Sequence, residues 1–309
     1  MRAVQVDAWG DATCLRLREV TRPRPAPGQV LVRIAAASVN AVDRRVREGY
    51  LSDRLPLPYT AGSDFSGIVE AAAEGADLAP GTAVFGGLWP TSGAYAEYAV
   101  FPAAELAVKP DNVSFETSAA LPIAGLTAEV AVDQADIRPG HRVLVQGAGG
   151  GVGHLALQIA KLRGAYVIGT AAGGDLNLVR ELGADEAIDY RDPSLPHSLP
   201  DIDVLIDGVS AANVAEVYPR MRRGSVAISL FDPPPTPANG IRAEIVATTE
   251  LTSQSLRDRM TSLIGQVTAA DLRVVVSRTY SLSEAGSAQD GHKRGKVVIV
   301  PDTSTPTPH

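Results

Sequence analysis

The stretch Val143–Lys161, VLVQGAGGGVGHLALQIAK, constrains the fold of this chain more than any other. Val143, Leu144 and Val145 form a short apolar run of buried-strand type. Glycines follow at 147, 149, 150, 151 and 153, and then Leu155, Ile159 and Leu162 recur at helical spacing. Strand, glycine turn and helix in that order leave a turn without Cβ atoms, over which a pyrophosphate can rest against the first amides of a helix. The spacing is G-x-x-G-x-x-G (Gly147, Gly150, Gly153), not G-x-G-x-x-G. A glycine pattern alone is weak; its place between strand and helix is what marks it as dinucleotide-binding. Gly147, Gly150, Gly151, Val152 and Gly153 are therefore the expected cofactor turn.

Beyond the turn, strand-like and helix-like segments alternate in the way a parallel sheet requires. Ala165–Thr170, Asp203–Asp207, Ser225–Leu230 and Ala243–Thr248 read as strands, with helices expected over 213–221 and 251–267. Ligands bind such sheets at the carboxyl ends of the strands, which brings in Thr170 and Ser229, Leu230 and Phe231. An acid at the end of the second strand favours NAD; its absence at Thr170 points to NADPH, with NADH the alternative. The loop beyond, Ala172-Gly173-Gly174-Asp175, offers no cation, so Tyr190 and Arg191 are the candidates for a 2′-phosphate contact.

Residues before 120 read differently. Met1–Val6, Val30–Ala36, Gly67–Ala72, Ala83–Phe85, Tyr95–Val100 and Leu106–Val108 are short candidate strands bounded by Gly, Pro or polar residues, which suggests a β-rich, barrel-like domain. Ser114 is the expected cap of the first long helix. A net charge of -7 with both signs interspersed disfavours nucleic acid and anionic membrane as partners. No apolar run reaches membrane-spanning length, and the N-terminus lacks a signal-peptide core; with Cys14 as its single cysteine the chain is expected to be cytoplasmic. The Pro/Thr-rich tail DTSTPTPH is expected to be disordered.

Several blocks carry a resemblance. ASVNAVDRRVREGYL (37–51), AGSDFSGIVE (61–70), GAYAEYAV (93–100), AALPIAGLTA (119–128), GAGGGVGHLALQIAK (147–161), ELGADEAIDYR (181–191) and GKVVIV (295–300) occur in an order that resembles the medium-chain dehydrogenase/reductase superfamily, in its zinc-free quinone oxidoreductase and enoyl reductase branch. The resemblance implies an α/β fold. A GroES-like catalytic domain (1–122) precedes a doubly wound Rossmann domain (123–268), and a C-terminal segment (269–309) returns to the first domain. It also implies that Thr127 touches the nicotinamide or its phosphate, that Lys296 lies on the nicotinamide side, and that a homodimer forms along the last Rossmann strand.

Zinc-using relatives carry Gly-His-Glu where this chain has Gly62-Ser63-Asp64, and the histidines at 141, 154, 197, 292 and 309 show no ligand spacing. No metal is expected, because a zinc site needs three or four converging N, S or O ligands. Without a Lewis acid, the acceptor must spread the charge left by hydride: a quinone, or a C=C conjugated to a carbonyl. Asn40 and Tyr50 are the candidate donors to that charge, and Asp64, aligned with the lost zinc site, orients its neighbours. The alternatives are a pathway-dedicated enoyl reductase or tailoring enzyme of polyketide metabolism and, more remotely, a non-redox binding protein on the same fold.

Overall fold

The computed structural model describes residues 1–87, 93–195, 199–237, 240–248, 251–291 and 294–301. His197, His292 and the tail from 302 lie outside them. In chain order come β1 (Arg2–Val6), β2 (Leu15–Glu19), β3 (Gln29–Val39), α1 (Ala41–Arg47), β4 (Tyr59–Thr60), β5 (Asp64–Ala72), β6 (Ala83–Gly87), β7 (Tyr98–Pro102), β8 (Ala107–Val108), α2 (Phe115–Ala119) and α3 (Pro122–Gln134). Then follow β9 (Arg142–Gln146), α4 (Gly153–Leu162), β10 (Tyr166–Ala171), α5 (Leu176–Glu181), β11 (Glu186–Asp189), β12 (Ile202–Asp207), α6 (Ala211–Val217) and β13 (Met221–Ser229). Last are β14 (Arg242–Ile245), α7 (Ser253–Thr268), β15 (Val276–Ser281), α8 (Ala285–Asp290) and β16 (Lys296–Val300).

These elements divide into two compact units. Met1–Ile123, Thr252–Thr268 and the chain from Val276 onward form the first; Ala124–Leu251 and Ala269–Val275 form the second. One expectation is corrected here. The helix expected over 251–267 was assigned to the Rossmann domain, but α7 belongs to the first unit. Met260, Leu263 and Ile264, at i, i+3 and i+4, are buried, and the helix packs against β8 and the turn at 103–105. Arg257 from the same helix pairs with Asp77 at 2.6 Å. Conversely, residues 269–275, expected with the C-terminal segment, belong to the second unit.

In the first unit β3 is the hub. Its eleven residues pair along one edge with β5, while the other edge is shared by β7 near Gln29–Arg33 and by β16 near Ala37–Val39. The alternate positions Val30, Val32 and Ile34 are buried in a core with Phe65 and Phe101, whose rings stack at 3.7 Å. β7 is found at Tyr98–Pro102, three residues later than the strand expected from Tyr95, because the Tyr95 backbone bonds Ala61 and Val4 instead of β3. Ser114 caps α2, its hydroxyl accepting from Thr117 N–H at 3.1 Å, but α2 is a helix of five residues and the long helix expected here is α3.

The second unit is a parallel sheet in the order β11-β10-β9-β12-β13-β14. Counted within the unit this is 3-2-1-4-5-6, the doubly wound order, with its reversal between β9 and β12. The apolar strands Val143–Val145 and Val204–Ile206 pair in register at its centre and are buried. Purely apolar central strands of this kind are what a sheet covered on both faces demands.

Candidate functional site

Two registers assemble a polar cluster inside the first unit. Ser38 on β3 pairs with Asp64 at the start of β5, and Val39 pairs with Val297 on β16. Asn40, one residue past β3, and Lys296, one residue before Val297, thereby face each other beside Asp64. Lys296 Nζ donates to Asn40 Oδ1 at 2.5 Å and to the Val39 carbonyl at 3.2 Å. Asn40 Nδ2 donates to Asp64 Oδ2 at 2.9 Å, and Ser38 Oγ donates to the same oxygen at 3.0 Å. The other carboxylate oxygen, Oδ1, accepts from Ile123 N–H at 3.1 Å. A Cβ on Gly87 would lie 2.2 Å from that oxygen, so glycine there makes room for the carboxylate.

All three side chains are buried: Asn40 is 7% exposed, Lys296 3% and Asp64 0%. Burial pushes the Asp64 carboxyl up to about 6 against the pull of Lys296, and pushes the Lys296 ammonium down against the pull of Asp64 and Asp43. Asp43, in the first turn of α1, is a participant that sequence reasoning missed. It accepts from Asn40 N–H (2.8 Å), Ser63 Oγ (2.7 Å) and Tyr95 OH (3.0 Å). Burial raises its carboxyl too, those three donors opposing. The signal was present as Asn40-Ala-Val-Asp43, an acid three residues after a helix cap.

Tyr50 is not part of this network. It is 59% exposed just beyond α1, with the Arg45 guanidinium 5.7 Å from its ring centre. Lys296, expected on the nicotinamide side, has its ammonium committed to Asn40 and Val39.

The second unit builds the turn that the sequence expected. Gly147 has φ +72°, and a Cβ on Gly153 would fall 2.2 Å from the Gly147 carbonyl, so both positions require glycine. His154 fixes the turn from behind: Val275 N–H donates to its Nε2, and its Nδ1 lies 2.9 Å from the Gly150 carbonyl, so Nδ1 carries the proton and donates. Thr127 is partly buried on α3, Thr170 is buried near the end of β10, and Leu230 and Phe231 follow β13. Tyr190 and Arg191 follow β11; Tyr190 is exposed and Arg191 is paired with Asp189.

The carboxyl edge of this sheet is unfinished. Gln146, Asp207 and Ser229 end β9, β12 and β13 in mutual register. Gln146 Oε1, Asp207 Oδ2 and Ser229 Oγ are buried and meet no hydrogen-bond partner among the described residues. Burial pushes the Asp207 carboxyl up to about 6, opposed by the backbone N–H groups of Val209 and Ser210. Three adjacent orphaned polar atoms beside a glycine turn fit a ligand rich in hydroxyl and amide groups, as a nicotinamide dinucleotide is. Of these three residues only Ser229 was expected.

Comparison with known proteins agrees with this architecture. Residues 26–111 match the alcohol dehydrogenase GroES-like domain, and residues 182–299 match the family described as zinc-binding dehydrogenase. The chloroplastic quinone-oxidoreductase QR1 of Triphysaria versicolor is 32% identical over 97% of this chain and 98% of its own length. The chain belongs to the medium-chain dehydrogenase/reductase superfamily, among the quinone oxidoreductases.

Among solved structures, the quinone oxidoreductase from Coxiella burnetii superposes with a TM-score of 0.86 at 31% identity, covering 97% of this chain and 99% of that one. An NAD-dependent alcohol dehydrogenase gives 0.86 at 32% over the same shares. A mycobacterial protein complexed with NADPH gives 0.89 at 25%, covering 97% of this chain and all of the other. A nicotinamide cofactor is thus a property of the fold's near relatives.

Zinc, named in one family description, does not fit the residues present. The Asp64 position is filled by an ammonium and an amide, and among the described residues no three His, Cys, Asp or Glu side chains gather as ligands. No helix among the described residues is long and apolar enough to cross a membrane.

Proposed function

We propose that this protein is a zinc-independent oxidoreductase that reduces a quinone, or a C=C conjugated to a carbonyl, with a reduced nicotinamide dinucleotide. The observation that carries the reading is the Asn40 amide. Lys296 holds its oxygen and Asp64 holds one hydrogen of Nδ2; the second hydrogen has no acceptor among the described residues. An amide pinned at both ends and charge-polarised by an ammonium is a pre-aimed donor for an oxygen that gains negative charge.

The bound coenzyme supplies hydride. The chain supplies the binding groups and the donor to the developing charge. Gly147, Gly150 and Gly153 clear the backbone for the pyrophosphate, and Gln146, Asp207 and Ser229 offer partners to coenzyme hydroxyl and amide groups. Asn40 donates to the acceptor oxygen, and Asp64 fixes the donor's direction. Tyr50 is a wall residue in this reading, and the final proton comes from solvent. A quinone or an enone needs no stronger electrophile, because the charge left by hydride spreads onto an enolate or phenolate oxygen.

A second copy of the chain pairing with β14, the last strand of its sheet among the described residues, is the dimer this reading expects; it would compete with the Gln134 side chain, which bonds the Ile245 carbonyl and the Ala247 N–H. The test of the reaction class is a substrate panel. Quinones and α,β-unsaturated ketones are expected to be reduced, and saturated ketones to be poor substrates. Efficient reduction of saturated ketones with no turnover of quinones or enones would overturn the proposal. An enoyl reductase dedicated to one pathway would show as a preference for a single enone over every quinone.

A further inference from the structure

In a sheet of this order an adenosine ribose meets the end of the strand after the glycine turn, here β10. An acid at that place accepts from a free 2′-OH and repels a 2′-phosphate. β10 ends in Thr170 and Ala171, with no acid of its own. The neighbouring strand supplies one. Asp189, the last residue of β11, lies in register with Ala171. The Gly173 N–H donates to the Asp189 carboxylate, which ties that acid to the loop following β10. A Cβ on Gly173 would stand 2.8 Å from Asp189 Oδ2 and 2.6 Å from Arg191 Nη2, so both groups border this loop directly.

Arg191 is the cation that the sequence offered to a 2′-phosphate, and the structure commits it elsewhere. Its Nε donates to Asp189 Oδ1 at 2.9 Å, its Nη2 to Oδ2 at 2.6 Å, and its own backbone N–H to Oδ1 at 3.0 Å. The two side-chain bonds form a fork, the strongest arrangement a guanidinium and a carboxylate make. A second acid faces the glycine turn: Asp175 Oδ2 lies 3.5 Å from the place a Cβ on Gly149 would take. The loop Ala172–Asp175 therefore carries one carboxylate, Asp175, and borders a second, Asp189. A 2′-phosphate brought here must break the fork to gain the Arg191 guanidinium, whereas a 2′-OH asks for no cation.

We propose that Asp189, by holding Arg191 in a bidentate pair beside the end of β10, makes the adenosine subsite select NADH over NADPH. This rests on the reading that the second unit holds a reduced nicotinamide dinucleotide, and it reverses the NADPH preference expected from Thr170 alone.

The experiment is calorimetric titration of the full chain with NADH and with NADPH, without substrate. NADH is expected to bind about tenfold tighter or more, a difference of about 1.4 kcal/mol. In Asp189→Asn the Arg191 guanidinium is released and one negative charge is gone; the affinity for NADPH relative to NADH is expected to rise about tenfold or more. Arg191→Ala added to Asp189→Asn is expected to abolish that rise. Asp175→Asn is expected to move the ratio in the same direction and serves independently if Asp189→Asn fails to fold, which circular dichroism reports. Equal or tighter NADPH binding by the natural chain, or a ratio unmoved in folded Asp189→Asn, would overturn the selectivity. If neither dinucleotide binds, the coenzyme reading itself fails and the selectivity with it. If both bind and NADPH is tighter, only the selectivity fails.

Discussion

Lys296 Nζ donates to Asn40 Oδ1 across 2.5 Å, and that contact decides which way the amide of Asn40 points. An ammonium has three donors and no acceptor, so only the oxygen of Asn40 can face it. Nδ2 is thereby turned to Asp64 Oδ2, at 2.9 Å. Residues 256 apart in the chain are joined because β16 returns to the far end of β3, where Val297 pairs with Val39. In the reaction proposed above, Lys296 is a positioning residue for a neutral donor.

Replacing Lys296 by Met keeps the buried stem and removes the charge. Asn40 then loses its orientation, and Asp64 and Asp43 lose the cation that offsets their burial. Loss of a hydrogen bond to a charged group costs about 1.5–3 kcal/mol, so turnover is expected to fall about 10- to 100-fold. Affinity for the dinucleotide is expected to stay within about threefold, a change of well under 1 kcal/mol. The sign of the pH effect is set by the carboxyl: without Lys296 the Asp64 pKa moves further upward, so the acid limb of the rate profile shifts to higher pH. Steady-state kinetics from pH 5 to about 9 measure both, and an unmoved acid limb would restrict Lys296 to a structural role.

Asn40→Ala and Tyr50→Phe separate the two donors that the sequence put forward. Removal of a well-aimed donor typically costs about 2.7–4 kcal/mol of transition-state energy, so Asn40→Ala is expected to lose about 100-fold or more in turnover. Tyr50 is 59% exposed and stands outside the Asn40–Asp64–Lys296 network. Tyr50→Phe is expected to retain turnover within about threefold, since the ring and not the hydroxyl then contributes. A large loss in Tyr50→Phe with a small one in Asn40→Ala would exchange their roles.

The glycine turn was legible because its signal is local: strand, turn and helix lie within nineteen consecutive residues, Val143–Lys161. The parallel strands around it followed from the same alternation, but their order, and the strand Glu186–Asp189, did not. The polar cluster was legible only as separate residues. Asn40 and Asp64 stood out, but nothing in their spacing shows that two registers on β3 carry Lys296 to them. Arg191 was visible as a loop cation; that it is spent on Asp189 is a matter of side-chain direction, which periodicity does not encode. The docking of α7 was hidden for a related reason. Met260, Leu263 and Ile264 give the helix an apolar stripe, and a stripe does not name the surface that it covers.

Two substitutions in the turn divide folding from binding. A Cβ on Gly153 meets the Gly147 carbonyl at 2.2 Å, a backbone atom that cannot give way, so Gly153→Ala is expected to lower the melting temperature of the protein without coenzyme. At Gly150 the same carbonyl stands at 3.1 Å, tight but open to small adjustment. Gly150→Val is expected to remain folded and to lose at least about tenfold in dinucleotide affinity, the branched side chain standing where the pyrophosphate approaches. Thermal melts and calorimetric titration check the pair. Unchanged affinity in Gly150→Val would place the dinucleotide elsewhere.

Asp207 ends β12 with one carboxylate oxygen bonded to Val209 N–H at 3.1 Å and the other buried without a partner among the described residues. Burial raises its pKa to about 6 in the folded protein, and the unfolded chain returns it to about 4. The folded state therefore binds this proton more tightly, and the stability it contributes is fully present below about pH 4. That contribution is lost as pH rises through about 6, and the shift of roughly 2 units corresponds to about 2–3 kcal/mol. Asp207→Asn keeps an acceptor for Val209 and cannot ionise. The variant is expected to decline less in stability between pH 4 and pH 6 than the natural chain, by up to that amount, in urea unfolding at fixed ionic strength. Because the orphaned oxygen adjoins Ser229 and Gln146 at the coenzyme edge, saturating dinucleotide is expected to reduce the difference between the two proteins. Parallel pH profiles for both, with and without dinucleotide, would mean that Asp207 titrates as an ordinary exposed acid and that the edge is not a polar subsite.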